Sequence, residues 1–216
     1  MYPLVILDNF YDDPDSIVDI ANSIEYSPSE DGRWPGVRSK PMWEVDRDLY
    51  VYTAEKILYL FNKELPQYWE FEMQFQKTSP YNEDQYHSKN RGWIHPDKGV
   101  TYFGGVIFLN KNPDKDTGLS IFKEKRGYSI QNEQEMLIKE KHYRGEQVSD
   151  VEYYEAYKKV HDQYEETVSI SNVYNRMILF NTTTHHGVQT FGATQDRLTL
   201  VFFCQEQIKC KHPLYR

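Results

Sequence analysis

Gly99-Val100-Thr101-Tyr102-Phe103-Gly104-Gly105-Val106-Ile107-Phe108-Leu109-Asn110 is an apolar and aromatic run closed by a polar, turn-forming tail. Its β-branched and aromatic content reads as a buried strand over residues 100–109. Working outward, residues 119–122, 177–180 and 198–203 give three more short strands. Upstream, Trp69, Phe71, Met73 and Phe75 alternate with Glu70, Glu72, Gln74 and Gln76, the period-2 pattern of a half-buried strand. Short strands separated by turns mean a sandwich or a barrel, so a mainly β fold with flanking helices is expected.

The flanks supply the helices. A strand at 3–7 runs into Asp12, Asp13 and Pro14, an acidic cap and early proline that open a helix carrying Ile17, Val18, Ile20, Ala21 and Ile24. A second helix is expected over 54–62, ending before Pro66. Between them, residues 27–41 hold three prolines, two glycines, Arg33, Trp34 and Arg38, and read as a loop. Residues 123–171 turn strongly charged, and 133–141 and 151–166 can both form helices with i,i+4 ion pairs. This segment has few aliphatic residues for a core of its own, so it reads as a helical insertion between strands.

At 216 residues, against roughly 150 for a common domain, the chain is expected to form a single domain. In that reading 1–68 is an N-terminal helical and strand support, 69–122 with 172–204 the β core, and 123–171 the insertion. Lys plus Arg number 25 against 33 Asp plus Glu, a net charge of −8. That is the wrong sign for sequence-independent binding of duplex nucleic acid. No apolar run approaches the ~20 residues of a membrane span, and the opening MYPLVILDNF meets Asp8 too early for a signal peptide. A cytoplasmic protein with no membrane partner is expected. Cys204 and Cys210 lack Cys-x-x-Cys spacing and read as ordinary thiols.

Three stretches carry chemistry. In Trp93-Ile94-His95-Pro96-Asp97, residues i and i+2 of an extended chain share a face, so His95 and Asp97 can reach one metal ion; a surface turn capped by Asp97 is the plainer alternative. In Leu179-Phe180-Asn181-Thr182-Thr183-Thr184-His185-His186-Gly187-Val188, a strand runs into paired histidines, one of which can complete two histidines and a carboxylate on one side of a metal. In Arg197-Leu198-Thr199, Arg197 and Thr199 share the polar side of an apolar strand, and arginine offers a planar fork suited to a carboxylate.

Taken in order, these stretches resemble the Fe(II)/2-oxoglutarate-dependent oxygenase superfamily, in its prolyl-hydroxylase-like branch. The superfamily pattern is His-x-Asp, a hydrophobic strand, a Gly-containing strand, then a distal His followed by Arg-x-Ser/Thr. His95-Pro96-Asp97 matches the first element, and Thr117-Gly118-Leu119-Ser120-Ile121-Phe122 is similar to Gly-Gly-x-Leu-x-Phe with Leu119 in place of the second glycine. Arg197 follows His186 by eleven residues. The likeness covers roughly 93–204, interrupted by the insertion.

The resemblance implies a double-stranded β-helix, or jelly roll, with Fe(II) bound by His95, Asp97 and one of the paired histidines. It implies 2-oxoglutarate and O2 as co-substrates, with Arg197 and Thr199 holding the distal carboxylate. Phe180, six residues before His186, and the spacing to Arg197 favour His186, whereas aligning on the His-x-Gly of prolyl-hydroxylase-like members would choose His185. The activity implied is that of a dioxygenase, releasing succinate and CO2. Retention of Asp97, which halogenating members replace by a small residue, favours hydroxylation or demethylation. Tyr86 and Tyr102 are candidates for holding the co-substrate, with core packing as the plainer role for each.

Two other readings stay open: a metal-dependent hydrolase using the same His/Asp/His ligands, and a non-catalytic jelly-roll binding module. Arg33, Trp34, Arg38 and Lys40 are candidates for recognising an anionic or peptide group on a small-molecule or peptide substrate. His87, His142, His161 and His212 lie in polar surroundings and are expected to be solvated.

Overall fold

The computed structural model describes residues 3–97, 99, 102–125 and 133–208. Its centre is a seven-stranded antiparallel sheet in the order β1-β8-β5-β10-β4-β3-β2. These strands are β1 (Val5–Leu7), β2 (Tyr26–Pro28), β3 (Val37–Ser39), β4 (Tyr68–Thr78), β5 (Phe103–Phe108), β8 (Met177–Asn181) and β10 (Arg197–Ile208). A second sheet, in the order β7-β6-β9, is built from β6 (Leu119–Glu124), β7 (Tyr164–Ile170) and β9 (His185–Val188). Five helices flank them: α1 (Pro14–Ser23), α2 (Met42–Val45), α3 (Arg47–Leu58), α4 (Glu133–Tyr143) and α5 (Asp150–His161). The mainly β, jelly-roll expectation holds.

Period-2 alternation decides what each face of the large sheet does. Along β10, which pairs with β4 on one side and β5 on the other, Leu198, Leu200, Phe202 and Cys204 face one way. They join Phe71, Met73 and Phe75 of β4, together with Ile17, Ala21, Ile57 and Leu58 of α1 and α3, in the main core. The intervening Arg197, Val201 and Phe203 face the opposite side and line a cleft between the sheets. Phe108, Leu119, Ile121, Ile170, Ile178 and Phe180 fill the rest of that space and bind the sheets together.

Local signals explain the helix boundaries. Asp13 accepts the backbone N–H of Ser16 and Pro14 opens α1, as the sequence indicates. The second helix begins earlier than expected, because Asp46 caps α3 by accepting the Leu49 N–H at 2.9 Å.

Two other expectations require correction. Residues 27–41 are not all loop: β3 pairs with β4 through Val37↔Lys77 and Arg38↔Gln76. A two-residue pairing between Gly36 and Pro41 leaves almost no periodicity to read. The segment 151–166 is not one helix, since α5 ends at His161 and β7 follows, a charged strand whose residues between Tyr164 and Ile170 are exposed. The segment 123–171, poor in aliphatic residues, packs on the rest of the chain through aromatic ones. Tyr143, Tyr153, Tyr157, Val160 and Tyr164 form a cluster around Trp93 and Ile94. The Trp93 indole N–H donates to Tyr153 Oη at 2.7 Å, and its ring meets those of Tyr153 and Tyr157 edge-on.

This hydrogen bond is buried, so Tyr153→Phe leaves the Trp93 N–H unsatisfied. Stability is expected to fall by about 1–3 kcal/mol in urea unfolding. An unchanged midpoint would show that the bond adds nothing to the packing of α5 on Trp93.

Candidate metal centre and its cleft

His95 and His186 meet as an antiparallel bridge, each backbone N–H donating to the other's carbonyl at 3.0 Å. The ladder continues on both sides, with Gly92 N–H to Val188 O and Asp97 N–H to Thr182 O, each at 2.9 Å. Backbone pairing therefore fixes all three side chains. Asp97 Oδ1 lies 3.6 Å from His95 Nε2 and 3.7 Å from His186 Nε2. One ligand atom from each residue falls within 4.8 Å of the others.

The tautomers follow from the partners. His95 Nδ1 lies 2.8 Å from Trp93 O and His186 Nδ1 lies 2.9 Å from Thr184 O. A carbonyl only accepts, so both Nδ1 atoms carry the proton and both Nε2 lone pairs face Asp97. Desolvation and the neighbouring His186 hold the His95 imidazole well below its ordinary range, which keeps it neutral and ready to ligate. Burial raises the Asp97 carboxyl, against the pull of His186 and Arg38. Asp97 Oδ2 is buried without a hydrogen-bond partner among the described residues. Two converging imidazole lone pairs and an orphaned carboxylate oxygen are the donor set of a divalent transition metal. Gly104 makes room for it, since a Cβ there would stand 3.2 Å from Asp97 Oδ2 and 2.9 Å from Phe203.

The triad lies on the wall of a cleft of about 1520 Å³. Arg197 enters from β10, buried, with its Nε donating to Thr117 O at 2.9 Å while Nη2 has no partner. Burial pushes the guanidinium down to about 10, so it stays cationic at neutral pH. No carboxylate among the described residues pairs with it. A buried arginine with an open fork selects an anion. Thr199 lies two residues along the same face, fully buried with its Oγ1 unpaired.

The structure separates the other candidates. His185 is turned from the triad, with its Nε2 3.5 Å from Glu124 Oε1 and its ring against Tyr164, so His186 is the histidine brought to His95 and Asp97. Tyr102 packs against the main core. Tyr86 is neither in the cleft nor in the core; it is exposed and donates to Asp116 at 2.8 Å. Arg33 sits at the cleft rim paired to Asp31, Trp34 and Arg38 line the cleft, and Lys40 is exposed outside it. His142 and His161 are not solvated: His142 meets the Tyr153 ring edge-on, His161 stacks on Tyr157, and burial lowers them to about 4 and about 3. His87 caps the Ser88–Asn90 turn half-buried, while His212 and Cys210 lie outside the described residues. Cys204 is a buried thiol in the main core.

Thr78, Glu72, Lys139 and Glu124 also line the cleft, unnoticed in the sequence. Thr78 stands in register with Arg197, its Oγ1 buried and unpaired. The signal for it lay in β4, whose polar face continues from Glu72 through Gln76 to Thr78 and borders the cleft instead of bulk water.

The chain belongs to the DUF6445 family, a family of unknown function, whose model matches residues 1–196. No curated protein matches the sequence. Among solved structures, the fold is similar to HygX from Streptomyces hygroscopicus with nickel and 2-oxoglutarate bound, at a TM-score of 0.59 and 12% identity over 94% of this chain and 82% of that one. It is similar to SnoK, a non-heme alpha-ketoglutarate-dependent carbocyclase of nogalamycin biosynthesis, at 0.56 and 8% identity over 94% and 79%. A 2OG-Fe(II) oxygenase family oxidoreductase from Burkholderia pseudomallei gives 0.53 and 13% identity over 97% and 88%. The fold is thus that of the 2OG-Fe(II) oxygenases, and no helix among the described residues is long and apolar enough to cross a membrane.

Asp97→Ala and His186→Ala are each expected to weaken Mn(II) or Fe(II) binding by at least about 100-fold with the fold retained. His185→Ala should leave metal affinity unchanged. Equal losses in the two histidine variants, measured by calorimetry, would overturn the selection of His186.

Proposed function

We propose that this protein is an Fe(II)- and 2-oxoglutarate-dependent dioxygenase that hydroxylates a C–H bond of its substrate, releasing succinate and CO2. The observation that carries this reading is the meeting, in one cleft, of the His95/Asp97/His186 donor set with the unpaired fork of Arg197. When bound, Fe(II) with 2-oxoglutarate and O2 supplies the oxidising chemistry, and the chain supplies position and electrostatics. His95, Asp97 and His186 hold the metal from one side, which leaves its other positions to the co-substrates. The Nδ1 hydrogen bonds to Trp93 and Thr184 stop the imidazoles from rotating or exchanging tautomer. Arg197 holds the distal carboxylate of 2-oxoglutarate, with the hydroxyls of Thr199 and Thr78 beside it. Phe203, Val201 and Val106 give the cleft an apolar wall that keeps water from the reacting centre.

Two features support this over the other readings. A hydrolase built on the same ligands would give the buried fork of Arg197 no task. A binding module would have no need of the assembled triad. The bound 2-oxoglutarate of HygX belongs to a protein of the same fold and supports the choice of co-substrate.

Anaerobic addition of Fe(II) and then 2-oxoglutarate is expected to raise the visible charge-transfer band of a chelated keto acid. Arg197→Gln should increase the 2-oxoglutarate needed for half-saturation by about 30-fold or more, the equivalent of about 2 kcal/mol from breaking a buried charge pair. Tight zinc binding with no such band would point to hydrolysis instead.

A further inference from the structure

Two cations in the cleft have no part in holding the metal or the co-substrate. Arg38 reaches in from β3, its guanidinium 4.4 Å from the centre of the Trp34 ring and its Nε donating to Gln76 Oε1 at 3.2 Å. Gln76 in turn donates to Pro35 O at 2.8 Å, which fixes the turn that carries both residues. The Nη atoms of Arg38 make no hydrogen bond among the described residues. Lys139 comes from α4 and lines the same cleft as His95, with its ammonium 5.6 Å from the Tyr143 ring centre. No carboxylate among the described residues lies within ion-pair distance of either cation.

The two are mechanically joined. Gly32, at φ +71°, lets the Glu140 carbonyl approach to where a Cβ would stand 2.2 Å away, and Arg144 Nη1 donates to Asp31 O at 3.3 Å. The loop bearing Trp34 and the helix bearing Lys139 therefore form one wall beside the triad. The nearby carboxylates keep their distance: Glu72 acts on Arg38 through space while accepting from Gln205 at 3.3 Å, Asp31 and Glu140 act on Lys139 in the same way, Glu124 faces His185, and Glu133 is exposed.

Charge counting gives these cations a task. On the reading proposed above, the 2+ metal and Arg197 are balanced by Asp97 and the two carboxylates of 2-oxoglutarate. Arg38 and Lys139 take no part in that balance; Glu72 acts on Arg38, and Glu140 and Asp31 on Lys139, only through space and outside ion-pair distance, so the open edge of Arg38 and the ammonium of Lys139 stay available to an anion in the low-dielectric cleft. We infer that Arg38 and Lys139 receive an anionic group of the substrate, a carboxylate or a phosphate, and so present the rest of that molecule to the metal. The planar fork of Arg38, stacked and held at Nε, is suited to two parallel hydrogen bonds from its open edge, and Lys139 adds a point charge from the same wall. This inference rests on the dioxygenase reading for its charge balance.

The test is calorimetric titration of the protein, with and without Mn(II) and the inert analogue N-oxalylglycine, using N-acetylphenylalanine, its neutral amide and phenyl phosphate as probes. At least one anion is expected to bind at least tenfold more tightly than the amide, and the stronger of the two identifies the group as carboxylate or phosphate. Arg38→Gln should abolish that preference and Lys139→Gln should reduce it about threefold, both with unchanged N-oxalylglycine affinity. An unchanged urea-unfolding midpoint in both variants guards against a folding defect. Equal binding of anions and amide by the wild type, or a preference that survives Arg38→Gln, overturns the inference. Loss of N-oxalylglycine binding in Arg38→Gln would make Arg38 a co-substrate clamp, overturning the inference while the dioxygenase reading stands. An Arg38-dependent anion preference in a protein that binds no N-oxalylglycine would do the reverse.

Discussion

The backbone bridge between His95 and His186 is the constraint from which the site follows. Two reciprocal N–H···O bonds at 3.0 Å set the strands side by side, and each imidazole then bonds through Nδ1 to a carbonyl two residues earlier in its own strand. The same device on both strands points both Nε2 atoms inward, with the rings 4.6 Å apart. Asp97, tied to Thr182 O one step along the ladder, supplies the carboxylate on the same face. A site built in this way inherits the rigidity of a sheet, which holds ligand geometry more closely than a free loop would. The aromatic cluster of α4 and α5 matters for the same reason, because it grips Trp93, whose carbonyl orients His95.

Much of this was legible because the chemistry runs at the period of a strand. His95 and Asp97 are two apart, Arg197 and Thr199 are two apart, and the alternation of β4 and β10 separates a core face from a cleft face in the sequence itself. His185 and His186 show where local reading stops. Both were chemically eligible, and only the pairing Ile121↔His186 and the bridge to His95, contacts between distant parts of the chain, decide which one faces the metal site.

The illegible parts share one physical cause: their conformation is set by partners far along the chain. β3 exists because β4 offers it an edge, and β7 because β6 does, although neither sequence carries an alternating apolar pattern. His142 and His161 looked soluble among charged neighbours, yet their helices turn them onto tyrosine rings. The packing of 123–171 on Trp93 was hidden for a related reason, since tyrosine buries as much apolar surface as leucine but is not counted among the aliphatic residues.

The distribution of unsatisfied groups ties the fold's energetics to its function. Asp97 Oδ2, Arg197 Nη2, Thr78 Oγ1 and Trp34 Nε1 are buried without partners among the described residues and belong to residues lining one cleft. Each such group costs roughly 1–3 kcal/mol, and more where charged. Behind the sheet, Phe71, Phe75, Phe103, Ile57, Leu200 and Phe202 form a fully apolar core whose burial offsets that cost. β10 carries both roles in one strand: its inward-packed residues stabilise the protein while the residues between them hold Arg197 in an environment it would leave if it could. A chain selected for stability alone would replace Arg197 with an apolar residue of similar volume. The cation is retained where water is scarce and no carboxylate among the described residues answers it, and that arrangement becomes favourable only when an anionic ligand enters the cleft.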